Sequence, residues 1–241
     1  MVARPRRSVL YMPGSNAKAL AKARSLPADA IIIDLEDSVA PDAKPAARAL
    51  AVEAVRAGGF GGREVVIRVN GAHTPWGRED LAAAIAAAPD AILLPKVDGP
   101  GAIMVAARAL RESGAPEGTR LWAMMETPMA ILSAGSIAAT AADPDSRLET
   151  LVMGLNDLAK ETRARLTPGR PALTAWLALC VAACSHILPF IAGATSTFAS
   201  GRNASAIVLS ASLAIPCASL AMTLAVAGDT TSKSALSASC K

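Results

Sequence analysis

The sequence is poor in aromatic residues, in histidine and in closely spaced cysteines. Aromatic residues make up 3% of its 241 residues and hydrophobic residues 52%, so the core has to be built from Ala, Val, Ile, Leu and Met. The four cysteines form no Cys-x-x-Cys pair and only two histidines occur, so the sequence signals neither a zinc site nor a disulfide framework. We expect one α/β domain of barrel size, with two small domains as the alternative, and free thiols.

An excess of one charge is also lacking. The net charge is +4, and neither blocks of like charge nor basic residues interleaved with aromatic ones occur, so nothing in the sequence supports binding to nucleic acid. The apolar run Ser8–Met12 follows a basic N-terminal segment but is too short for the core of a signal peptide. We therefore expect a cytoplasmic protein.

Between Ser8 and Asp157 the sequence repeats a short apolar run, a polar turn and an alanine-rich stretch with helical spacing. Continuous apolar runs are typical of parallel strands that are covered on both faces. The pattern predicts six strands, at Ser8–Met12, Ala30–Asp34, Glu64–Val69, Ala91–Pro95, Leu121–Met125 and Thr150–Met153. It predicts helices at Ala17–Ser25, Lys44–Ala57, Glu79–Ala87, Ala102–Ser113 and Ala130–Ala142.

Six strand–helix units without a Gly-x-Gly-x-x-Gly sequence after the first strand favour a (β/α)8 TIM barrel over a dinucleotide-binding sheet. An open, flavodoxin-like sheet is the structural alternative. Polar side chains follow the predicted strands at their carboxyl ends, which is the edge where barrel enzymes carry their chemistry. They are Asp34, Glu36, Asp37, Arg68, Asn70, Lys96, Glu126, Asn156 and Asp157.

Two of these side chains, Glu126 and Asp157, follow consecutive predicted strands and should meet at that edge. A small hard cation prefers oxygen ligands, and two carboxylates together with water and substrate oxygens suffice to hold it. The pair therefore predicts a site for Mg²⁺ or Mn²⁺. The alternative is that each carboxylate caps a local turn or helix, Asp157 at a helix that begins near Leu158.

Arg68 lies inside the apolar run Val65–Val69, where an unpaired guanidinium would be costly. Its planar fork suits the carboxylate of an α-keto acid. The alternative is an internal ion pair with Asp34, Glu36 or Asp37 on the neighbouring strand, and the sequence leaves both open.

The three acids of the segment Asp34–Asp37 are more than one metal ion needs, so some of them are predicted to orient metal-bound waters. An acidic loop that caps a helix is the alternative. Lys96 has the position of a Schiff-base lysine in a barrel aldolase. Because a metal ion held by Glu126 and Asp157 makes that role redundant, we predict that Lys96 positions other groups or contacts phosphate.

Six short motifs in this order resemble the citrate lyase β-subunit branch of the HpcH/HpaI aldolase superfamily. They lie at Arg6–Ser15, Ile33–Val39 followed by Lys44 and Arg48, Ile67–Asn70, Leu94–Val97, Met125–Pro128 and Gly154–Leu158. The resemblance implies a (β/α)8 barrel and a metal-dependent carbon–carbon lyase of the citrate lyase β-subunit or malyl-CoA lyase type. Such an enzyme cleaves a 3-hydroxyacyl-CoA ester into an acyl-CoA and an α-keto acid. The resemblance also implies a homo-oligomer.

By position, the resemblance places the two metal ligands on Glu126 and Asp157 and the arginine that binds the keto acid on Arg68. It further implies roles for residues around the metal and the CoA. The water shell of the metal would contact Glu36 and Asp37, and the phosphates of CoA would contact Arg7, Lys18 and Lys22.

The last quarter of the chain differs in composition. Residues 171–241 have only Arg202, Asp229, Lys233 and Lys241 as charged groups and hold all four cysteines. Two uncharged stretches are long enough to cross a membrane, but they are rich in Ala, Ser and Thr and contain proline, so we do not expect a membrane protein. We predict a barrel domain at residues 1–170 and an atypical tail at residues 171–241, in which strands seven and eight are not recognisable.

Two explanations of this tail stay open. One is translation of a GC-rich gene in a wrong reading frame, and the other is a divergent helical segment that closes the barrel. The corresponding alternative function is a non-catalytic pseudo-enzyme or a truncated family member that associates with a membrane.

Overall fold

The computed structural model describes residues 6–165, 167, 171–187, 194–198 and 206–211. In these ranges the strands are β1 (Val9–Pro13), β2 (Ala30–Asp34), β3 (Glu64–Arg68), β4 (Ala91–Leu94), β5 (Arg120–Met125), β6 (Leu148–Gly154), β7 (Ala194–Phe198) and β8 (Ala206–Ala211). The helices are α1 (Ala17–Ala23), α2 (Lys44–Ala57), α3 (Gly77–Ala87), α4 (Pro100–Glu112), α5 (Pro128–Leu132), α6 (Ala134–Ala139), α7 (Leu155–Thr162) and α8 (Pro171–Ile187).

The six predicted strands are confirmed, with ends that differ from the prediction by at most two residues. The single helix predicted at Ala130–Ala142 is wrong, because α5 and α6 are separate helices and a short 3-10 turn follows at Thr140–Ala142. Ser133 between them has φ −96° and ψ 5° and leaves the helical conformation. Both halves bury apolar side chains, so each packs as a separate helix although the alanine-rich sequence is compatible with one.

Strands β1 to β6 form a parallel sheet in chain order, each pairing with the next. A doubly wound, flavodoxin-like sheet would reverse its strand order partway, so the open-sheet alternative does not fit these six strands. Parallel strands that each return through a helix bring all their carboxyl ends to one edge. We call this edge, formed by the carboxyl ends of β1–β6 and the segments that follow them, the carboxyl edge.

The sheet has apolar side chains on both faces. One face packs against the helices and forms the larger core cluster, to which Ile31, Ile33, Ile67 and Ile92 belong. The other face forms a smaller interior cluster of Val9, Ala30, Ile32, Val66, Ala91, Leu93, Trp122, Met124 and Val152. A curved parallel sheet with a filled interior follows from this arrangement.

Arg6 fills the amino end of the interior. Its guanidinium donates to Glu64 at 2.6 and 2.7 Å, lies 3.1 Å from Glu149 and packs 5.1 Å from the centre of the Trp122 ring. Only 1% of Arg6 is exposed. The amino end of the interior is thus closed by a paired charge, and room for a ligand is left to the carboxyl edge.

The expected full (β/α)8 barrel is not seen in the described residues. Strand β8 pairs antiparallel with β6, and β7 pairs antiparallel with β8, so the sheet order ends β6-β8-β7. Only seven residues separate β7 from β8. A parallel return requires a crossover of a dozen or more residues, so the spacing of seven residues is compatible with an antiparallel β7–β8 pair and not with a parallel one.

Helix α8 packs on α6 and buries Leu173, Cys180 and Cys184 in the larger core cluster. Burial raises the pKa of both thiols to about 12. Within the part of the chain that the structure describes, no helix has the length and the apolar character needed to cross a membrane.

Candidate active site at the carboxyl edge

Three polar side chains at the ends of β2, β3 and β5 point toward the interior. Successive side chains of a strand alternate between the two faces of a sheet. Asp34, Arg68 and Glu126 each lie two residues after a member of the interior cluster. The alternation therefore carries all three to the interior face at the carboxyl edge.

Asp34 and Arg68 are register partners on β2 and β3. Arg68 Nε donates to Asp34 Oδ1 at 2.6 Å and Nη2 donates to Oδ2 at 2.7 Å, and both residues are buried. Burial by itself would raise the pKa of Asp34, but the hydrogen bonds and the charge of Arg68 outweigh it and lower that pKa. The internal ion pair that the sequence left open is thus present.

Two further carboxylates approach the same guanidinium. Arg68 Nη1 lies 2.8 Å from Glu36 Oε2 and 3.2 Å from Asp37 Oδ2. Glu36 Oε2 is buried and, despite the short distance, accepts no well-aligned hydrogen bond from the described residues. The hydrogen bonds to Asp34 and Asp37 use three of the five guanidinium N–H groups, and Glu36 lies within ion-pair distance of Nη1.

Lys96 contacts both predicted metal ligands. Its backbone N–H donates to Glu126 Oε1 at 2.8 Å, and its Nζ lies 3.5 Å from Asp157 Oδ2 and 4.0 Å from Glu161 Oε1. Lys96 has a φ of 48°, in the left-handed region that residues other than glycine rarely adopt. The strained turn after β4 thus directs a backbone donor at Glu126, and one residue joins the two carboxylates.

Burial and mutual repulsion perturb the pKa values of this site. Burial raises the pKa of Glu126 to about 7, and the charge of Asp157 adds to the effect while Lys96 and Arg68 oppose it. Burial likewise raises the pKa of Glu36 to about 8 against the charge of Arg68. Burial lowers the pKa of Lys96, but the surrounding carboxylates outweigh it and leave that pKa raised.

The charge balance of the carboxyl edge is negative. Two cations, Arg68 and Lys96, are surrounded by six acidic side chains. These are Asp34, Glu36, Asp37, Glu126, Asp157 and Glu161. A bound divalent cation would reverse the repulsion that raises the pKa of Glu126. The donor set therefore fits a hard cation better than a soft one, since every available ligand is a carboxylate oxygen.

The described residues contain no group of three or more His, Cys, Asp or Glu arranged to hold a metal. Glu126 and Asp157 remain the two predicted protein ligands, with the other positions left to water and substrate. Mg²⁺ accepts such a site, because it usually keeps several waters.

Two glycines allow the strand ends to approach each other closely. A Cβ atom on Gly154 would lie 2.5 Å from Glu126 Cβ and 2.7 Å from Glu126 Oε2. A Cβ atom on Gly14 would lie 2.8 Å from Leu35 Cδ2 and 2.9 Å from the backbone oxygen of Asp34. Gly154 therefore makes room for the Glu126 carboxylate, and Gly14 lets β1 approach the acidic segment after β2.

The residues predicted to contact CoA phosphates are divided between the two ends of the sheet. Lys18 lies exposed in the first turn of α1, directly after the carboxyl end of β1, and Lys22 lies exposed one turn further along. Arg7 precedes β1 and pairs at 3.0 Å with Asp29, which precedes β2. The structure thus places Arg7 at the amino ends of the strands, away from the other predicted site residues.

The sequence did not reveal the roles of Tyr11, Gly154 and Lys44. The Tyr11 ring lies 5.2 Å from the Arg68 guanidinium, and its hydroxyl has Met124 Sδ at 3.6 Å as its recorded partner. Burial raises the pKa of this hydroxyl. Their positions were the available signal, because Tyr11 lies near the carboxyl end of β1 and Gly154 is the last residue of β6.

Fold and site together define a carboxylate pair beside a buried arginine at the carboxyl edge of a curved parallel sheet. The sequence model of the family described as HpcH/HpaI aldolase/citrate lyase matches residues 7–207. The chain therefore belongs to the HpcH/HpaI aldolase/citrate lyase family. The match also extends past residue 170, where the composition had predicted a domain boundary.

Named relatives point to the same family. A (3S)-malyl-CoA thioesterase of Cereibacter sphaeroides is 45% identical over 197 residues, which are 81% of this chain and 65% of the relative. Citrate lyase subunit beta of Escherichia coli K12 is 34% identical over 170 residues, 68% of this chain and 55% of the relative. The chain thus spans about two thirds or less of the length of these relatives.

Solved structures show the same fold. CitE from Mycobacterium tuberculosis, in complex with magnesium, acetoacetate and coenzyme A, has a TM-score of 0.60 at 27% identity over 77% of this chain and 63% of that chain. RipC from Yersinia pestis has a TM-score of 0.58 at 29% identity over 77% of this chain and 74% of that chain.

Proposed function

We propose that this chain is a Mg²⁺-dependent lyase that cleaves the carbon–carbon bond of a 3-hydroxyacyl-CoA ester, such as malyl-CoA, to an acyl-CoA and an α-keto acid. The observation that carries the proposal is the contact of Lys96 with both Glu126 and Asp157 beside the Arg68 cluster, which consists of Arg68 with Asp34, Glu36 and Asp37. The likeness to a CitE structure that holds magnesium, acetoacetate and coenzyme A supports it.

In this proposal Glu126 and Asp157 hold the cation, and Mn²⁺ is an alternative to Mg²⁺. The bound cation supplies Lewis-acid polarisation of a substrate oxygen. The N–H groups of Arg68 that Asp34 and Asp37 do not use bind the carboxylate of the keto acid. Glu36 and Asp37 fix the Arg68 guanidinium and face the water shell.

The proton balance of the cleavage is internal. The substrate hydroxyl loses its proton as the carbon–carbon bond breaks, and the acyl-CoA enolate gains one at carbon. A carboxyl group with a pKa near neutrality can exchange that proton, and the pKa of Glu36 is raised to about 8 by its burial.

Substrate contacts and assembly complete the proposal. Lys18 and Lys22 contact the phosphates of CoA from α1, whereas the position of Arg7 argues against such a contact. Strands β1–β6 are the first six strands of a (β/α)8 barrel, and the enzyme is a homo-oligomer. A cytoplasmic location stays a prediction from the sequence.

Thioester hydrolysis is the second candidate, because relatives at 45% identity are named (3S)-malyl-CoA thioesterases. Both reactions begin with the same substrate at the same site but differ in the bond that breaks. Cleavage of the carbon–carbon bond yields acetyl-CoA and glyoxylate, whereas hydrolysis yields malate and free CoA.

Product analysis separates the candidates. The protein would be incubated with (3S)-malyl-CoA and Mg²⁺, with glyoxylate detected as its phenylhydrazone and free CoA by a thiol reagent. We expect glyoxylate without free CoA, and no product from Glu126→Gln. Free CoA without glyoxylate would establish hydrolysis instead. Neither product, or a rate that Glu126→Gln leaves unchanged, would overturn the proposal and support a non-catalytic role.

A further inference from the structure

Lys44, in the first turn of α2, is a buried cation that the proposed reaction does not use. It is 6% exposed, and its Nζ donates to the backbone oxygens of Leu35 and Glu36 at 3.0 and 2.9 Å and to Asn70 Oδ1 at 2.7 Å. These bonds use all three ammonium protons. The ring of Trp76 lies 5.1 Å from the same atom. The three acceptors are neutral oxygens, which is an unusual environment for a buried charge.

A chain of buried polar groups continues from Lys44 into the outer helices. Asn70 Nδ2 donates to Asp80 Oδ2 at 2.5 Å and to the backbone oxygen of Leu35 at 2.8 Å. Arg48 Nε donates to Asp80 Oδ1 at 2.6 Å, and Asp80 is fully buried. Hydrogen bonds thus connect Arg48, Asp80, the neutral Asn70 amide and Lys44 in series, so that the negative charge of Asp80 lies between two positive charges and each group polarises the next.

The segment that Lys44 holds carries two of the carboxylates around Arg68. The backbone N–H of Leu35 donates to the backbone oxygen of Arg68 at 2.9 Å, and the Glu36 and Asp37 side chains reach Nη1 of the same residue. Lys44 therefore binds the backbone carbonyls of the segment Leu35–Asp37, while the acidic side chains of that segment contact Arg68.

We propose that Lys44 is a positioning residue that fixes the segment Leu35–Asp37 against Arg68 and so sets the orientation in which Arg68 receives the carboxylate of the keto acid. The proposal rests on the proposed function for the identity of the ligand. In this proposal Lys44 acts through the segment Leu35–Asp37 and not through contact with the substrate or the metal. Its loss would release two backbone carbonyls and one amide together.

The test compares Lys44→Met with Arg56→Met. Arg56 lies on the same helix, is exposed and donates to the backbone oxygen of Ala86, so its replacement removes one cation and one cation–carbonyl bond away from the carboxyl edge. In the condensation of acetyl-CoA with glyoxylate, Lys44→Met should raise KM for glyoxylate about tenfold, the order expected for lost charge-assisted hydrogen bonds. KM for acetyl-CoA should stay within about twofold, and Arg56→Met should match the wild-type protein.

Amide hydrogen exchange gives a readout that needs no turnover. In Lys44→Met, the amides of residues 35–39 should exchange at least about tenfold faster, with the rest of the sheet protected as in the wild-type protein. Lys44→Arg keeps a buried cation and should show a smaller change, and it serves in place of Lys44→Met if that variant does not fold. Unchanged exchange at residues 35–39, or equal effects of Lys44→Met and Arg56→Met, would overturn the positioning role. An inactive wild-type protein would overturn the proposed function alone, because the exchange comparison still decides the role of Lys44.

Discussion

At the scale of single residues, the Arg68 cluster ties stability to function. Replacing Arg68 by Met would leave Asp34 buried without its counter-charge, and breaking a buried pair by removing one partner costs about 3–5 kcal/mol. We expect a loss of that order in the free energy of urea unfolding. The double variant Arg68→Met with Asp34→Asn should recover part of it, and a double variant no more stable than the single one would contradict the account.

The raised pKa values of Glu36 and Glu126 predict how the metal-free protein responds to pH. Each carboxyl has a folded-state pKa, about 8 and about 7, that lies above its unfolded value. Such an acid binds its proton more tightly when folded, so its stabilising contribution is complete below pH 4.5 and is lost as pH rises through 7 and 8. In EDTA, the thermal midpoint should fall by several degrees between pH 6 and pH 9. Glu126→Gln should flatten the fall, and a midpoint that rises over this range would contradict the burial of these groups.

Gly154 gives a third test at the same scale. Gly154→Ala would force a Cβ atom to within 2.7 Å of Glu126 Oε2, so the carboxylate has to move. We expect the increase in thermal midpoint on addition of Mg²⁺ to disappear in this variant. Gly135→Ala in α6 is the matched control, because a Cβ atom there has no neighbour within 4 Å. If Gly154→Ala kept the full response to Mg²⁺, the placement of the cation at Glu126 would be wrong.

These residues show where sequence reasoning about the site stops. Arg68, Glu126 and Asp157 could be singled out because a charged side chain at the end of an apolar run is conspicuous. The roles of Lys96 and Lys44 could not, because both depend on backbone geometry. Lys96 acts on Glu126 through an N–H held at positive φ, and Lys44 binds carbonyl oxygens that no side-chain pattern reveals.

At the scale of elements, the caps of α1 and α5 form a matched pair. Asn16 Oδ1 accepts from the N–H of Ala19 at 3.0 Å, and Thr127 Oγ1 accepts from the N–H of Ala130 at 3.0 Å. Either change to Ala should cost about 1 kcal/mol of unfolding free energy. Thr127 directly follows Glu126 and also donates to Asp98, so only Thr127→Ala should weaken Mg²⁺ binding, measured by titration calorimetry. If Asn16→Ala and Thr127→Ala changed the Mg²⁺ affinity equally, the hydrogen bonds of Thr127 would have no role in holding the metal site.

Some helices and strands could be predicted from the sequence and others could not. Strands β2 to β5 were predictable because each is a buried apolar run between polar turns, and burial on both faces leaves such a run few alternatives. The split between α5 and α6 was not, because alanine and serine are compatible with one helix or two and packing decides. The antiparallel pairing of β7 and β8 is compatible with the seven residues that separate them.

At the scale of the whole molecule, the family match and the composition of the tail favour different explanations of residues 171–241. The family match extends to residue 207, which favours a related but divergent segment. The near absence of charge after residue 170, and the antiparallel addition to β6 where the resemblance implies further parallel strands, favour translation in a wrong frame. In the described residues, β1 pairs only with β2, so its outer edge lacks the partner that a closed barrel would supply.

The underlying DNA decides between these explanations, because the frame-change hypothesis makes a specific prediction for it. One of the other two frames past codon 180 should then encode two further strand–helix units, each a continuous apolar run followed by an amphipathic helix with ordinary charge content. The repaired chain, expressed beside the present one, should stay soluble at higher concentration, because a paired β1 no longer offers an open edge for association. If neither frame encodes such units, the tail is a divergent segment of the protein itself, and closure of the sheet has to come from residues of the present sequence.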